Sequence, residues 1–306
     1  MTCILAALGA GNMFQANQAH AMLSYAFDVP SEFGVITGLV LAALVFSVIV
    51  GGMPSIASVT EKIVPWMAAL YVGMALIVII SNIGQVGAAF GAIIEGAFTG
   101  AGVAGGFIGA LIQGLKRATF SNEAGVGSAA IAHSAVKTKE PITEGLVSLL
   151  EPFVDTVVIC TMTALVITIA GLNVGPYDGS GLTGVTLTAA SFTETAGIFK
   201  YLLALAVVLF AFSTMISWSY YGLKSWTYLF GEGKGPELAF KLLFCLFVVI
   251  GATIQFGAVI DFSDAALFAM SIFNIVGLYL LMPVVKKELH SFIARVKSGE
   301  IKAYKK

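Results

Sequence analysis

KRATFSNEAGVGSA, residues 116–129, interrupts a long apolar stretch, and how it is read decides what kind of molecule this is. Within residues 121–128 lie a carboxylate, an amide, two hydroxyls and two glycines, in a length of chain otherwise apolar enough to cross a membrane. A continuous lipid-facing helix would not carry Ser121, Asn122 and Glu123 there. An interrupted helix would, because the break frees backbone N–H and C=O groups to bind a ligand. Gly125 and Gly127 permit an open backbone and a close approach. A second half-helix, expected over residues 131–136, would present a partial positive end to a carboxylate. The plainer alternative is a polar loop joining two short helices at the surface.

Composition argues for the membrane. Of the 306 residues, 58% are hydrophobic and 11% charged, against roughly 25% charged in an average soluble domain. Mean hydropathy is +0.95. So few charges could not solvate the surface of a soluble domain this size. A net charge of −1, with no basic patch interleaved with aromatics, gives no sign of a nucleic-acid binder, and none is expected as a partner. Cys3, Cys160 and Cys245 each sit in an apolar run and read as small core residues. No signal-peptide pattern opens the chain.

A bilayer core of ~30 Å needs about 20 apolar residues per helix. On that ruler eight spans are expected, at 2–26, 34–53, 63–83, 103–136 (interrupted), 145–171, 197–223, 239–257 and 264–285. Turn signals separate them: Asp28, Pro30 and Ser31; Gly51, Gly52 and Pro54; residues 171–184; residues 231–236. Nine glycines in residues 84–109 predict an irregular or re-entrant segment. The lysines and arginines after residue 285 place residues 286–306 in the cytoplasm as a basic tail behind a transmembrane domain, 1–285. Threading back through eight spans puts Lys62, Lys137, Lys139, Lys224, Lys234 and Lys241 on that same side. The opposite side then carries Asp28, Glu32, Asp178, Glu194 and Asp261.

Three further polar clusters fall inside spans. GAGNMFQANQAH, residues 9–20, carries Asn12, Gln15, Asn17, Gln18 and His20, which either glue helices together or line a ligand cavity. His20 alone reads as an interior histidine. FSTMISWSYYG, residues 212–222, holds Ser213 and Thr214 side by side, with Trp218 one turn beyond Thr214. Such hydroxyls either bond back to their own helix or coordinate a small hard cation. Glu151 and Asp155 stand four apart on one face, which calls for a cation or protons: a structural ion pair or a proton relay.

The runs GAGNMFQANQ, FSNEAGVGSAAIAHSAV, LLEPFVDTVVICTMTALVI and FAFSTMISWSYYG resemble, in this order, segments of the alanine/glycine:cation symporter family. That resemblance implies an all-α, LeuT-like inverted-repeat bundle in the plasma membrane, multi-pass, with a cytoplasmic C-terminus. It implies uptake of alanine, glycine or D-alanine with sodium, protons being the other possible coupling ion, and no further cofactor. The eight spans would be core helices three to ten, and residues 122–128 the interrupted sixth. Under it Gln15, Asn122, Gly125, Gly127, Ser128, Thr214 and Trp218 bind substrate, Ser213 and Thr214 bind sodium, and Asn12, Asn17, Glu123 and Asp155 are cavity or coupling candidates. Trp218 would limit the substrate to very small side chains.

The family carries three helices ahead of the residue 9 region, including a first broken helix with a G-T-G-N-I-A-G type run that has no match here. The chain therefore reads as an N-terminally truncated member, expected not to catalyse coupled uptake by itself. The partners expected are a small neutral amino acid, sodium and the bilayer. No phosphate-binding loop, H-E-x-x-H or G-x-S-x-G run points to an enzyme. The alternative is a membrane scaffold or channel without coupled transport, which has no need for an ionisable, glycine-broken helix in mid-membrane.

Overall fold

The computed structural model describes residues 1–99, 106–175 and 181–301, and every described element is helical. The chain opens with α1 (Thr2–Leu8), a π-helical turn Gly9–Met13 and α2 (Phe14–Phe27), which run on as one rod. There follow α3 (Gly34–Ile49), α4 (Gly52–Ser81), α5 (Val86–Thr99), α6 (Gly106–Asn122) and the six-residue α7 (Ser128–His133). Next come α8 (Pro141–Ser148), α9 (Leu150–Pro152), a π-helical Phe153–Cys160 and α10 (Thr161–Val174), a near-continuous rod. The last helices are α11 (Val185–Thr193), α12 (Phe199–Phe230), α13 (Lys234–Thr253) and α14 (Phe256–Lys297).

Six helical stretches among the described residues are long and apolar enough to cross a membrane: Ser31–Ile49, Gly52–Ser81, Pro141–Val174, Phe199–Phe230, Lys234–Thr253 and Phe256–Lys297. Of the other two expected spans, 2–26 is helical with a π turn inside it, and 103–136 is split into α6 and α7, residues 103–105 lying outside the described set. In a bilayer only helices satisfy every backbone group within one segment, so apolar length alone carries most of this pattern.

Four expectations need correction. Residues 86–99 form a regular helix rather than an irregular segment, while residues 100–105 lie outside the described set. Ala89 is fully buried against Leu165 and Ile169 of α10, so packing outweighs the helix cost of the glycines. The third span starts at Gly52, not 63, and Lys62 lies within it rather than in a loop. Pro54 is tolerated in its first turn, where no intrahelical donor is needed. The second half-helix is Ser128–His133, three residues earlier than expected. Asp261 is helical too, since α14 begins at Phe256 and carries residues 286–297 of the expected tail as a continuation of the same rod. Of the connection at 171–184, residues 176–180 with Asp178 lie outside the described set, as do Lys302, Lys305 and Lys306.

The bundle packs around α12. Leu203, Ala204 and Ala206 on its first half join a buried cluster with Met22, Tyr71, Val78, Val166 and Phe192. Ala211, Met215, Ile216 and Trp218 on its second half join another with Ala7, Val45, Phe244 and Leu267. The short helix α11, with no counterpart among the expected spans, buries Ala189, Ala190, Ser191 and Phe192 and caps the first cluster. One helix thus feeds both cores, and the hydroxyl pair Ser213–Thr214 lies near their junction.

Candidate functional site

The break after α6 is made locally. Glu123 takes a left-handed φ of 56°, a conformation a non-glycine residue adopts only when its surroundings hold it. Asn122 helps: its Oδ1 accepts the Ala124 N–H at 2.9 Å, a side-chain turn in place of the helical bond. The Val126 N–H returns to the Glu123 carbonyl at 3.1 Å. Gly127 follows at φ 115°, and a Cβ there would press on the Asn274 side chain at 3.1 Å, so glycine is required twice over.

Three elements pin the opened chain. Asn274 of α14 donates to the Gly125 carbonyl at 2.9 Å. Asn122 Nδ2 donates to Thr156 Oγ1 at 2.7 Å, and Ser121 Oγ to Asp155 Oδ2 at 2.6 Å, both on the π-helical segment. Glu123 accepts from both directions: Ser128 Oγ donates to its Oε2 at 2.5 Å and Trp218 Nε1 to its Oε1 at 2.8 Å. The carboxylate therefore staples both sides of the break to α12.

Trp218 itself is buried between that carboxylate and the π turn at Gly9–Met13. A Cβ on Gly11 would overlap the indole, so the seat exists because a glycine sits where the turn faces α12. The widened turn leaves the Ala10 carbonyl to accept from Gln15 Nε2 at 3.1 Å. Both π-helical segments lie against the site, where such segments frequently occur.

Glu123, Ser213, Thr214, Ser217, Trp218 and Tyr221, with Thr60 and Val64 of α4, line one open pocket of about 190 Å³. Ser213 donates to the Phe210 carbonyl at 2.9 Å, the back-bonding arrangement, and lies 3.6 Å from Met67 Sδ. Donating that proton leaves its oxygen lone pairs available. Thr214, half-buried, makes no side-chain hydrogen bond among the described residues.

The amides of residues 9–20 are directed elsewhere. Asn12 donates to the Phe244 carbonyl at 2.7 Å, and Asn17 to those of Gly251 and Ile254 at 3.1 and 2.7 Å, all on or beside α13. Gln18 links Asn17 Oδ1 to the Val185 N–H at the start of α11. His20 meets Thr37 Oγ1 at 3.1 Å. These groups bond helices and loops together, and none of them lines the pocket of Glu123 and Thr214.

Asp155 and Glu151 meet no lysine or arginine among the described residues. Asp155 accepts hydroxyls, and Glu151 Oε1 stands 3.2 Å from His133 Nε2, near enough for an ion contact but out of line for a hydrogen bond. His133 Nδ1 meets Glu144 Oε1 at 2.6 Å. His133, Glu144, Thr156, Asn274 and Thr60 are site neighbours that sequence reading did not single out. Asn274, a lone amide on an apolar helix, was the one with a visible signal.

A family model described as the sodium:alanine symporter family matches residues 1–306. The chain is 44% identical over 291 residues to the sodium/alanine symporter AgcS of Methanococcus maripaludis, covering 94% of this chain and 62% of that protein. It is 34% identical over 302 residues to the probable sodium/glutamine symporter GlnT of Bacillus subtilis, and 33% identical over 301 residues to an uncharacterized transporter of Haemophilus influenzae. The chain spans just under two thirds of the length of these relatives. Together with the apolar helices, this match makes the chain a multi-pass membrane protein of a transporter family, not an enzyme family, and it belongs to the sodium:alanine symporter family.

Proposed function

We propose that this chain forms the greater part of a sodium-driven symporter for a small neutral amino acid, with a LeuT-like fold in which α6 and α7 are the interrupted sixth core helix. The observation that carries the reading is the single pocket on which Glu123 of the break converges with Ser213, Thr214 and Trp218 of α12. A break in one helix facing hydroxyls on a neighbour supplies what a substrate and a hard cation need: backbone groups for the zwitterion and oxygens for the ion. The names of the relatives support sodium as the coupling ion and a neutral amino acid as cargo, and that of AgcS supports a small one.

The division of labour follows from the contacts. Trp218, clamped by Glu123 and seated on Gly11, forms a rigid wall that restricts side-chain size. Thr214 Oγ1, with no partner among the described residues, and the lone pairs of Ser213 are the cation's oxygens. Ser128, Gly125 and Gly127 shape the opened backbone, with Asn122 holding it open. Gln15, Asn12 and Asn17 contribute by fixing the helices that surround the pocket. Asp155, hydrogen-bonded to Ser121, couples the break to the π-helical segment.

The test is uptake of labelled alanine by the full-length protein in liposomes. An inward sodium gradient should drive accumulation above equilibrium and a proton gradient alone should not. Equal uptake with either gradient, or none with sodium, would sink the reading.

A further inference from the structure

One charged cluster lies outside the pocket. Lys116 and Arg117 stand on α6 shortly before the break, and both reach Asp264 on α14. Arg117 Nη2 contacts both carboxylate oxygens, Oδ1 at 2.6 Å and Oδ2 closer still, and Lys116 Nζ stands 3.2 Å from Oδ2. Asp264 is buried, whereas 43% of the Arg117 side chain is exposed. Asp261, a turn earlier on α14, is exposed and pairs with neither cation among the described residues.

Two features make this more than an ion pair. Among the described residues two cations and one anion stand within contact distance, an excess of one positive charge. Both bonds from Arg117 leave the same nitrogen, Nη2, so Nη1 and Nε have no hydrogen-bond partner among the described residues. Both carboxylate-matching edges of a guanidinium run through Nη2, so an arriving carboxylate would meet the Nη1 or Nε hydrogens singly, with the Lys116 ammonium as its second contact.

The position matters as well. Arg117 lies 5.2 Å over the Phe120 ring, and Phe120 packs edge-on against Phe14 of α2 at 4.9 Å. Phe14 in turn meets Phe256 at the start of α14 at 6.2 Å. Along the axis of α6, Phe120 falls between Arg117 and the break. A ligand held by the cations would rest one aromatic pair away from the pocket, on the face of the break opposite α7.

We propose that Lys116 and Arg117 form an entrance site for the carboxylate of an incoming amino acid, with Asp264 holding the cations in position when no ligand is present. The identity of the ligand rests on the symport reading above; the carboxylate chemistry does not. Asp264 acts as a positioning residue: it orients Arg117 through one nitrogen and leaves the Nη1 and Nε hydrogens, with Lys116 Nζ, for the ligand.

The experiment is arginine-selective modification with phenylglyoxal of the full-length protein in liposomes, Arg117 being quantified by peptide mass spectrometry. Alanine should slow modification of Arg117 several-fold in sodium-free buffer, and alaninamide, which lacks the carboxylate, should not. Lys116→Gln should weaken the protection, and Asp264→Asn should speed modification without ligand. Equal modification with alanine and alaninamide, or protection that requires sodium, would overturn the proposal, the latter by placing the effect at the central pocket. Protection by alanine together with absent sodium-driven uptake would sink the symport reading and leave the carboxylate site standing.

Discussion

Trp218 shows how much one side chain depends on two others. Its N–H is held by Glu123 at 2.8 Å and its ring rests on Gly11, so it cannot swing aside for a larger substrate. Trp218→Leu should therefore admit valine and leucine while weakening alanine, read as inhibition of labelled alanine uptake by each competitor. An unchanged size cutoff would remove Trp218 from the pocket wall. The hydroxyls beside it behave differently. Replacing both Ser213 and Thr214 with Ala removes two oxygens from the proposed cation site, and each charge-assisted contact of that kind contributes about 1.5–3 kcal/mol. The sodium concentration for half-maximal uptake should then rise about tenfold or more, with substrate selectivity little changed. Unaltered sodium dependence would count against the assignment.

At the scale of elements, the sequence displays what depends on length and apolarity and hides what depends on partners. The break at residues 121–128 was legible because a carboxylate, an amide and two glycines cannot sit in a lipid-facing helix. Its fastening by Asn274 and Thr156 was not, because those partners lie 149 and 34 residues away. Neither π-helical segment could be read, since the glycines and polar residues of Gly9–Met13 and Phe153–Cys160 are compatible with an α-helix and only a shifted hydrogen-bond register distinguishes them. The amides of residues 9–20 announced polarity inside a span without saying whether a ligand or the carbonyls of α13 would satisfy it. Asp264 escaped notice because residue 264 was expected to open a span at its outer end, whereas α14 begins eight residues earlier, at Phe256.

One inter-element contact also carries a pH prediction. Glu140, just ahead of α8, forms a bidentate pair with Arg295 near the end of α14, at 2.7 and 2.6 Å. The Arg295 guanidinium holds the Glu140 carboxyl below its ordinary value. A carboxyl whose folded pKa is depressed stabilises the structure above its unfolded value and loses that contribution as pH falls through the folded one. The protection of residues 141–148 against hydrogen exchange, corrected for the intrinsic rate at each pH, should therefore hold at pH 5 and fall modestly below about pH 4, the ordinary glutamate range. Glu140→Gln should remove the pH step and leave protection at its lower level throughout. A step of equal size in the variant would assign it to another group.

For the whole molecule, length and charge together predict an orientation. The 42 residues of α14 span about 63 Å at 1.5 Å per residue, roughly twice the ~30 Å hydrocarbon core. One end must therefore stand well clear of the bilayer. We expect that end to be the C-terminal one, because Lys286, Lys287, Arg295 and Lys297 crowd it, whereas Asp264 near the other end is already neutralised by α6. Basic segments flanking a span are retained in the cytoplasm. The link between Asp28 and Ser31, which carries no lysine or arginine, should then face outward, as should the start of α14 and the entrance cations above Phe120. Single cysteines in a background with Cys3, Cys160 and Cys245 replaced by Ala provide the check. A membrane-impermeant maleimide should label Glu32→Cys in intact cells and Lys297→Cys only after permeabilisation. The reverse pattern would invert the molecule, putting the Arg117 face toward the cytoplasm and turning the proposed entrance into an exit.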